Sequence, residues 1–224
     1  MDVLTRLRDA RFFSTLDLCW GFNNVRIKDG DEWKGAFSTN RGLFEPLVMF
    51  FGLCNSPATF QTMMNDVLRR FIDRNMAICY MDNILVFTKT LEEHKKVVRS
   101  ILLTLREHKL FLKPEKCVFE KSSVNYLSLV ISRGCVSMDP VKVRGVSDWP
   151  VPKKVKEVQS FLGFVNFYWG FIKDFAEIAH PLHALTHKKR NWSWGESENS
   201  AFVQLKAAVT SAPTLAFPSD NGHF

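Results

Sequence analysis

Tyrosine is scarce in this chain, three residues against 20 phenylalanines, and cysteine is both sparse and odd in number at five. No two of Cys19, Cys54, Cys79, Cys117 and Cys135 form a CxxC pair. They read as reduced, mostly buried thiols of an intracellular protein (cytoplasm or nucleus) and not as a disulfide framework. The opening Met1-Asp2-Val3-Leu4-Thr5-Arg6 lacks the basic segment and apolar run of a secretory signal. Long apolar runs are missing too. The longest stretch without a charge, Pro46 to Asn65, is broken by Gly52, Asn55, Pro57 and Gln61, so no membrane span is expected. No repeat or low-complexity tract is present, and 46% hydrophobic with 24% charged residues excludes intrinsic disorder and collagen-like classes.

What the chain does have is length for one large domain, or one domain and an appendage: 224 residues against a prior of ~150 per domain. Its net charge of +7 and pI near 9.2 point mildly toward a polyanionic partner. Residues 1–137 carry 20 Lys/Arg against 15 Asp/Glu, and residues 138–224 carry 10 against 8, so most of the excess lies in the first part. The phenylalanines are expected mainly in the core.

The first part alternates strand-like and helix-like text. Phe12 to Asp17, Val25 to Ile27, Gly35 to Ser38 and Leu43 through Met49 are rich in β-formers and separated by turn residues, which predicts hairpins. Ser56-Pro57 opens a helix, with serine as its cap and apolar residues every three or four positions to Phe71. Ala77 to Tyr80 and Ile84 to Phe87 form a second hairpin across Met81-Asp82-Asn83. An amphipathic helix follows from Thr90 to His108, with Leu91, His94, Val97, Val98, Ile101, Leu102 and Leu105 on one face. Val124 to Ile131 returns to strand. Beyond a boundary near residue 137 the text becomes helical: Val155 to Phe175, then Ser200 to Val209, with a loop from His187 to Trp194.

Two acids at strand ends carry the candidate chemistry. Asp17 closes the first strand, and Asp82 sits at the tip of an apolar hairpin where an unpaired carboxylate would be costly without solvent or a cation. Magnesium often uses one or two carboxylates plus substrate phosphates. On spacing alone, Asp82-Asn83 reads more readily as a plain turn than as a metal site.

The wording around these positions resembles the reverse transcriptase of gypsy-type LTR retrotransposons over nearly the whole chain. The blocks that carry the resemblance are Phe12-Phe13-Ser14-Thr15-Leu16-Asp17-Leu18, Gly21-Phe22-Asn23-Asn24-Val25-Arg26-Ile27, Phe51-Gly52-Leu53-Cys54-Asn55-Ser56-Pro57-Ala58-Thr59-Phe60-Gln61, Tyr80-Met81-Asp82-Asn83-Ile84-Leu85-Val86-Phe87, Leu112-Lys113-Pro114-Glu115-Lys116-Cys117, Asp148-Trp149-Pro150 and Ser160-Phe161-Leu162-Gly163. The resemblance implies an α+β right-hand polymerase. Its palm, an antiparallel sheet packed on helices with partial fingers, would span residues 1–137, and a mainly helical thumb with the start of the connection would span 138–224. It further implies RNA-directed DNA polymerase activity with Mg2+ (or Mn2+), an RNA or DNA template, a DNA primer and dNTP, and no membrane. Asp17, Asp82 and Asn83 would hold the metals. Phe22 would lie under the incoming sugar and exclude a 2′-hydroxyl, with Phe51, Gln61, Tyr80 and Met81 shaping the nucleotide pocket. Lys116 would assist the leaving pyrophosphate, and Leu127 and Ser128 would form the primer grip.

The chain departs from the family pattern in ways that predict impaired activity. Asn83 stands where the family has a second aspartate, and the N-terminal fingers are missing. Phe50 replaces a proline, Ser128 a glycine, and Trp169-Gly170 a basic pair. The alternative is a non-catalytic nucleic-acid-binding or relic module. His180, His183 and His187 share one helical spacing but read as surface histidines rather than a metal site.

Overall fold

The computed structural model describes residues 3–187, 191–211 and 215–216. They form two compact units: one runs to Tyr126 and includes Ser132–Gly134, and the other holds Leu127–Ile131 and the chain from Cys135 onward.

In the first unit, α1 (Val3–Leu7) precedes β1 (Phe12–Asp17). The short hairpin β2 (Phe37–Thr39) and β3 (Gly42–Phe44) follows, then α2 (Ser56–Ile72). The second hairpin is β4 (Ala77–Tyr80) and β5 (Asn83–Thr88), and it leads into α3 (Leu91–Glu107), β6 (Val118–Lys121) and β7 (Ser123–Tyr126). The main sheet has the order β4-β5-β1-β6. β1 lies antiparallel to β5 with Phe12 opposite Thr88 and Asp17 opposite Asn83.

Helix α2 buries Phe60, Met64, Leu68 and Phe71, the stripe its periodicity predicts, against Leu16, Ala77, Ile84 and Val86 of the sheet. Its cap is Asn55, not Ser56: the serine is the buried first helical residue, and its hydroxyl donates to the Phe50 carbonyl (3.4 Å). Arg6 closes the other end of α2, its guanidinium donating to the carbonyls of Ile72 (2.8 Å) and Ala77 (3.0 Å). Helix α3 starts at Thr90, whose hydroxyl accepts from the Glu93 amide, and buries Val97, Val98, Ile101 and Leu105. Leu102, expected on that face, lies at its exposed margin.

Between β1 and β6 the register shifts, with Glu120 at φ +54°, and the displaced Glu120 amide donates to Ser14 Oγ (3.0 Å). That hydroxyl meets His94 Nε2 at 2.7 Å, while His94 Nδ1 lies 3.0 Å from Thr88 Oγ1. Thr88 gives its own proton to the Thr90 carbonyl, so it accepts from Nδ1–H, and burial lowers the imidazole's pKa and so favours the neutral ring. Val25 to Ile27 and Val48-Met49 form only an isolated bridge, Arg26 to Val48, and not the strands expected. Arg26 instead works through its side chain, reaching the Leu47 carbonyl and the Glu32 carboxylate. Gly35 is required there, because a Cβ would stand 2.9 Å from Pro46 and 3.3 Å from Phe50.

The second unit contains β8 (Leu129–Ser132, its last residue assigned to the first unit), β9 (Cys135–Met138), α4 (Pro140–Ser147), α5 (Val155–Asn166), α6 (Phe175–Leu185), α7 (Glu196–Thr210) and β10 (Leu215–Ala216), which pairs with β9. Asp139 caps α4 by accepting from the Val141 amide (2.9 Å), with Pro140 in the first turn. The core centres on Phe161, Phe202, Val158, Val165, Leu182 and Leu205, and the Phe161 and Phe202 rings are 4.6 Å apart. Not every phenylalanine is core: Phe37, Phe44, Phe51, Phe111, Phe119 and Phe167 are exposed. Among the described residues no helix is long and apolar enough to cross a membrane.

Candidate active site

Asp17 and Asp82 meet at one end of the main sheet. The turn between β4 and β5 is only Met81-Asp82, tighter than the three residues expected, because Asn83 is already in strand and pairs with both Tyr80 and Asp17. The Leu18 amide donates to the Asp82 carbonyl (2.9 Å), which ties the turn to the end of β1. Met81 takes φ +54°, a strained conformation for a side chain of its kind. Gln61 of α2 holds it there: its Oε1 accepts from the Met81 amide (2.8 Å) and its Nε2 donates to the Cys79 carbonyl (3.1 Å). The sequence marked Gln61 as a pocket residue, and the structure shows it clamping the turn that carries Asp82.

Asn83 donates its amide to Asp82 Oδ1 (3.1 Å), and its own carbonyl accepts from the Tyr126 hydroxyl (3.3 Å). Burial raises the Tyr126 phenol well above its ordinary value, so it remains a donor. Burial, aided by the Asp82 charge, likewise pushes the Cys79 thiol up to about 12.

The lysine that touches Asp17 is Lys113. Lys113 Nζ stands 2.8 Å from Asp17 Oδ1, and the contact raises the lysine above its usual range. It is an ion pair without hydrogen-bond alignment: among the described residues, Asp17 Oδ1 is the one buried side-chain oxygen with no aligned partner. Lys116 ends the short turn Pro114–Lys116 with its side chain exposed. Lys113 was legible only as one more lysine in the block Leu112 to Cys117. What selects it is the pairing of its backbone with Asp17, which no spacing rule displays.

Phe22 lies in a short turn (Gly21–Asn24) with its ring 5.0 Å from Phe51 and 5.6 Å from Phe60, so a buried ring of α2 backs it and an exposed ring flanks it. Tyr80 is exposed beside Asn83. Leu127 and Ser128 belong to the second unit. Both take positive φ, +49° and +63°, the pair that a type I′ hairpin turn demands, and the Tyr168 hydroxyl donates to the Ser128 carbonyl (3.3 Å). His180, His183 and His187 are exposed.

The donor set fits a hard divalent cation. It offers oxygen ligands from two carboxylates and one amide, including a buried Asp17 oxygen that lacks an aligned donor. No group of three or more His, Cys, Asp or Glu that could hold a metal ion gathers among the described residues.

Residues 1–131 match the family described as reverse transcriptase (RNA-dependent DNA polymerase), and the chain belongs to that family. It is related to the polyproteins of LTR retrotransposons. It is 34% identical over 218 residues to the retrovirus-related Pol polyprotein from transposon 297 of Drosophila melanogaster, covering 97% of this chain and 20% of that protein. It is 37% identical to the Pol polyprotein from transposon opus of the same organism (96% and 22% covered), and 34% identical to the transposon Tf2-7 polyprotein of Schizosaccharomyces pombe (95% and 16%). The chain thus spans about a fifth of the length of these curated relatives. The mixed α+β fold matches foamy viral protease-reverse transcriptase in complex with RNA/DNA hybrid, with TM-score 0.85, 26% identity, and 96% of this chain and 29% of that one covered. A second foamy viral structure, in complex with double-stranded DNA, gives TM-score 0.86 at 26% identity, covering 98% of this chain and 38% of that one.

Proposed function

We propose that the chain is the palm, with part of the fingers, and the thumb of a retroelement RNA-directed DNA polymerase, residues 1–137 forming the palm and 138–224 the thumb and the start of the connection. The reaction is nucleotidyl transfer. The primer 3′ oxygen forms a bond to the α-phosphorus of a dNTP, the bond to the bridging oxygen breaks, and pyrophosphate leaves. The observation that carries this reading is the Asp17–Asn83 pairing at neighbouring strand ends with Asp82 in the adjoining turn.

Asp17 and Asp82 would hold the metal, with the Asn83 amide oxygen beside them. Bound Mg2+, or Mn2+ in its place, supplies charge that stabilises the attacking and leaving oxygens. The protein's share is positioning. Asn83 Nδ2 orients Asp82, and Gln61 and the Leu18 amide fix the turn. Phe22, braced by Phe60, is the wall that excludes a 2′-hydroxyl, and Phe51, Tyr80 and Met81 complete the nucleotide pocket. Lys116 serves the leaving pyrophosphate, and the Leu127-Ser128 turn grips the primer. Foamy viral relatives held with RNA/DNA hybrid and with double-stranded DNA support a template–primer duplex as the partner.

Asn83 brings an oxygen without a charge, so the activity is impaired relative to an aspartate in its place. Primer extension with Mg2+ and with Mn2+ tests this on the wild type, Asn83→Asp and Asp17→Asn. A gain in Asn83→Asp and loss in Asp17→Asn are expected. Strong extension by the wild type with no gain in Asn83→Asp overturns the impairment. Absence of extension even in Asn83→Asp, with salt-dependent duplex binding that survives Asp17→Asn and Asp82→Asn, would identify a non-catalytic binding module instead.

A further inference from the structure

We propose that Lys113 is a resident counter-ion of Asp17, held on a carboxylate oxygen that a divalent cation needs, and that metal entry requires its ammonium to withdraw. The inference rests on the reading of Asp17 as a metal ligand and adds a competitor for that ligand within the chain.

The placement is built by the backbone. Lys113 N–H donates to the Asp17 carbonyl (2.9 Å), Leu112 bridges Leu18, and the Cys19 amide donates to the Phe111 carbonyl (2.7 Å). Residues 111–113 therefore run antiparallel alongside 17–19, and Pro114 turns the chain away immediately afterwards. The Lys113 stem starts beside Asp17 whatever its rotamer. Its ammonium stands 2.8 Å from Asp17 Oδ1, with the two side chains 30% and 17% exposed, so solvent screens the pair less than a surface pair. The Asp82 and Cys19 sides of the site also act on this ammonium. Lys116, three residues on, points outward, so the two lysines of one short turn have different surroundings.

The charges then decide the competition. Two carboxylates and one ammonium leave a single negative charge at the strand ends, where an aspartate at position 83 would leave two. A divalent cation on Asp17 and Asp82 would face a like charge from Lys113, and like charges in one site disfavour each other. The ammonium is released when the metal takes Asp17. Lys113 thus acts as a positioning residue that sets the metal concentration at which the site fills.

The test is Mn2+ binding, read from the loss of free Mn2+ by electron paramagnetic resonance, on the whole chain. Lys113→Met keeps the stem and removes the charge, and it should bind Mn2+ about three- to tenfold more tightly than the wild type, given the modest strength of a partly screened ion pair. Lys113→Gln should follow it, and Lys113→Arg should stay within about twofold of the wild type. Equal or weaker Mn2+ binding by both neutral variants, with unchanged circular dichroism, overturns the proposal. Asp17→Asn separates it from the underlying reading. If that variant binds as tightly as the wild type, Asp17 is no metal ligand and the proposed function falls. If it loses binding while the Lys113 variants match the wild type, only the role of Lys113 falls.

Discussion

Replacing Gln61 with leucine removes both hydrogen bonds that hold the Met81-Asp82 turn while nearly preserving side-chain volume. The Met81 amide, bonded at 2.8 Å to Oε1 in the native protein, would be left partly buried without an acceptor, and the Cys79 carbonyl would lose its 3.1 Å donor. An unsatisfied buried group costs about 1–3 kcal/mol. The Met81 backbone has little to offset that loss, since its φ of +54° is already unfavourable for a non-glycine residue. The effect should be local, because Phe60 and Met64, which bracket Gln61 on α2, keep their own packing. Native-state hydrogen exchange reads this directly: the Met81 amide should exchange about 5- to 150-fold faster, the same energy expressed as an opening equilibrium. Amides of α3 should be unmoved. Gln61→Glu is the discriminating partner, since it keeps an acceptor for Met81 but sets a carboxylate against the Cys79 carbonyl, so Met81 protection should survive. Unchanged Met81 exchange in Gln61→Leu would refute the clamp.

Three further outcomes follow from the geometry. Ser128→Gly should stabilise the protein by about 0.5 kcal/mol in thermal denaturation. Relief of a left-handed φ of +63° outweighs the added chain entropy of glycine, and a loss of stability would contradict the primed turn. Burial holds His94 below 6.5, with Glu120 and Glu93 opposing, so on acidification the unfolded chain takes up the proton first. Stability from this group is therefore complete above pH 6.5 and lost as pH falls toward the lower native value, by up to about 1.4 kcal/mol per pH unit. Urea midpoints measured across that range should slope in the wild type and flatten in His94→Gln. At pH 8, iodoacetamide should modify exposed Cys54 well before Cys79, whose thiol is pushed up to about 12, and mass spectrometry of the alkylated peptides would expose the reverse order.

Local physics made much of this molecule legible. Helices α2 and α3 were readable because each has an apolar stripe and a start signal, Pro57 and Thr90, written within a few residues. The strand ending in Asp17 and the hairpin around Asp82 were readable because β-branched and aromatic runs flank them. Val25 to Ile27 and Val48-Met49 looked like strand for the same reason, yet they pair only through one bridge, tied by the Ile27 amide on the Leu47 carbonyl and the Met49 amide on the Val25 carbonyl. The site divides along the same line. Asp17 and Asp82 end elements that sequence alone defines. Lys113 and the clamp by Gln61 depend on which backbone comes to lie beside residues 17–19 and 79–81, across separations of 96 and 20 residues. Nothing in a local pattern encodes such a meeting.

At Asn83 the fold and the charge of the site are set by different parts of one residue. Its structural duties are carried by its main chain: it pairs with Asp17 and Tyr80, and its carbonyl accepts from Tyr126. An aspartate could do all of this equally well. Exchanging the two therefore leaves the sheet register, the Tyr126 contact and the match to foamy viral reverse transcriptase untouched. What changes is the side chain, which in the amide form donates to Asp82 Oδ1 and in the acid form would repel it. Asparagine thus relaxes the apo site that aspartate would strain, and the acid pair keeps a single ammonium, Lys113, as sufficient partner. Asn83→Asp should accordingly lower stability without metal and recover it as Mn2+ is added, because ligand binding to the folded state alone stabilises it. Thermal denaturation with and without Mn2+ measures both halves. If the variant is as stable as the wild type in the absence of metal, repulsion between positions 82 and 83 is not what the amide relieves.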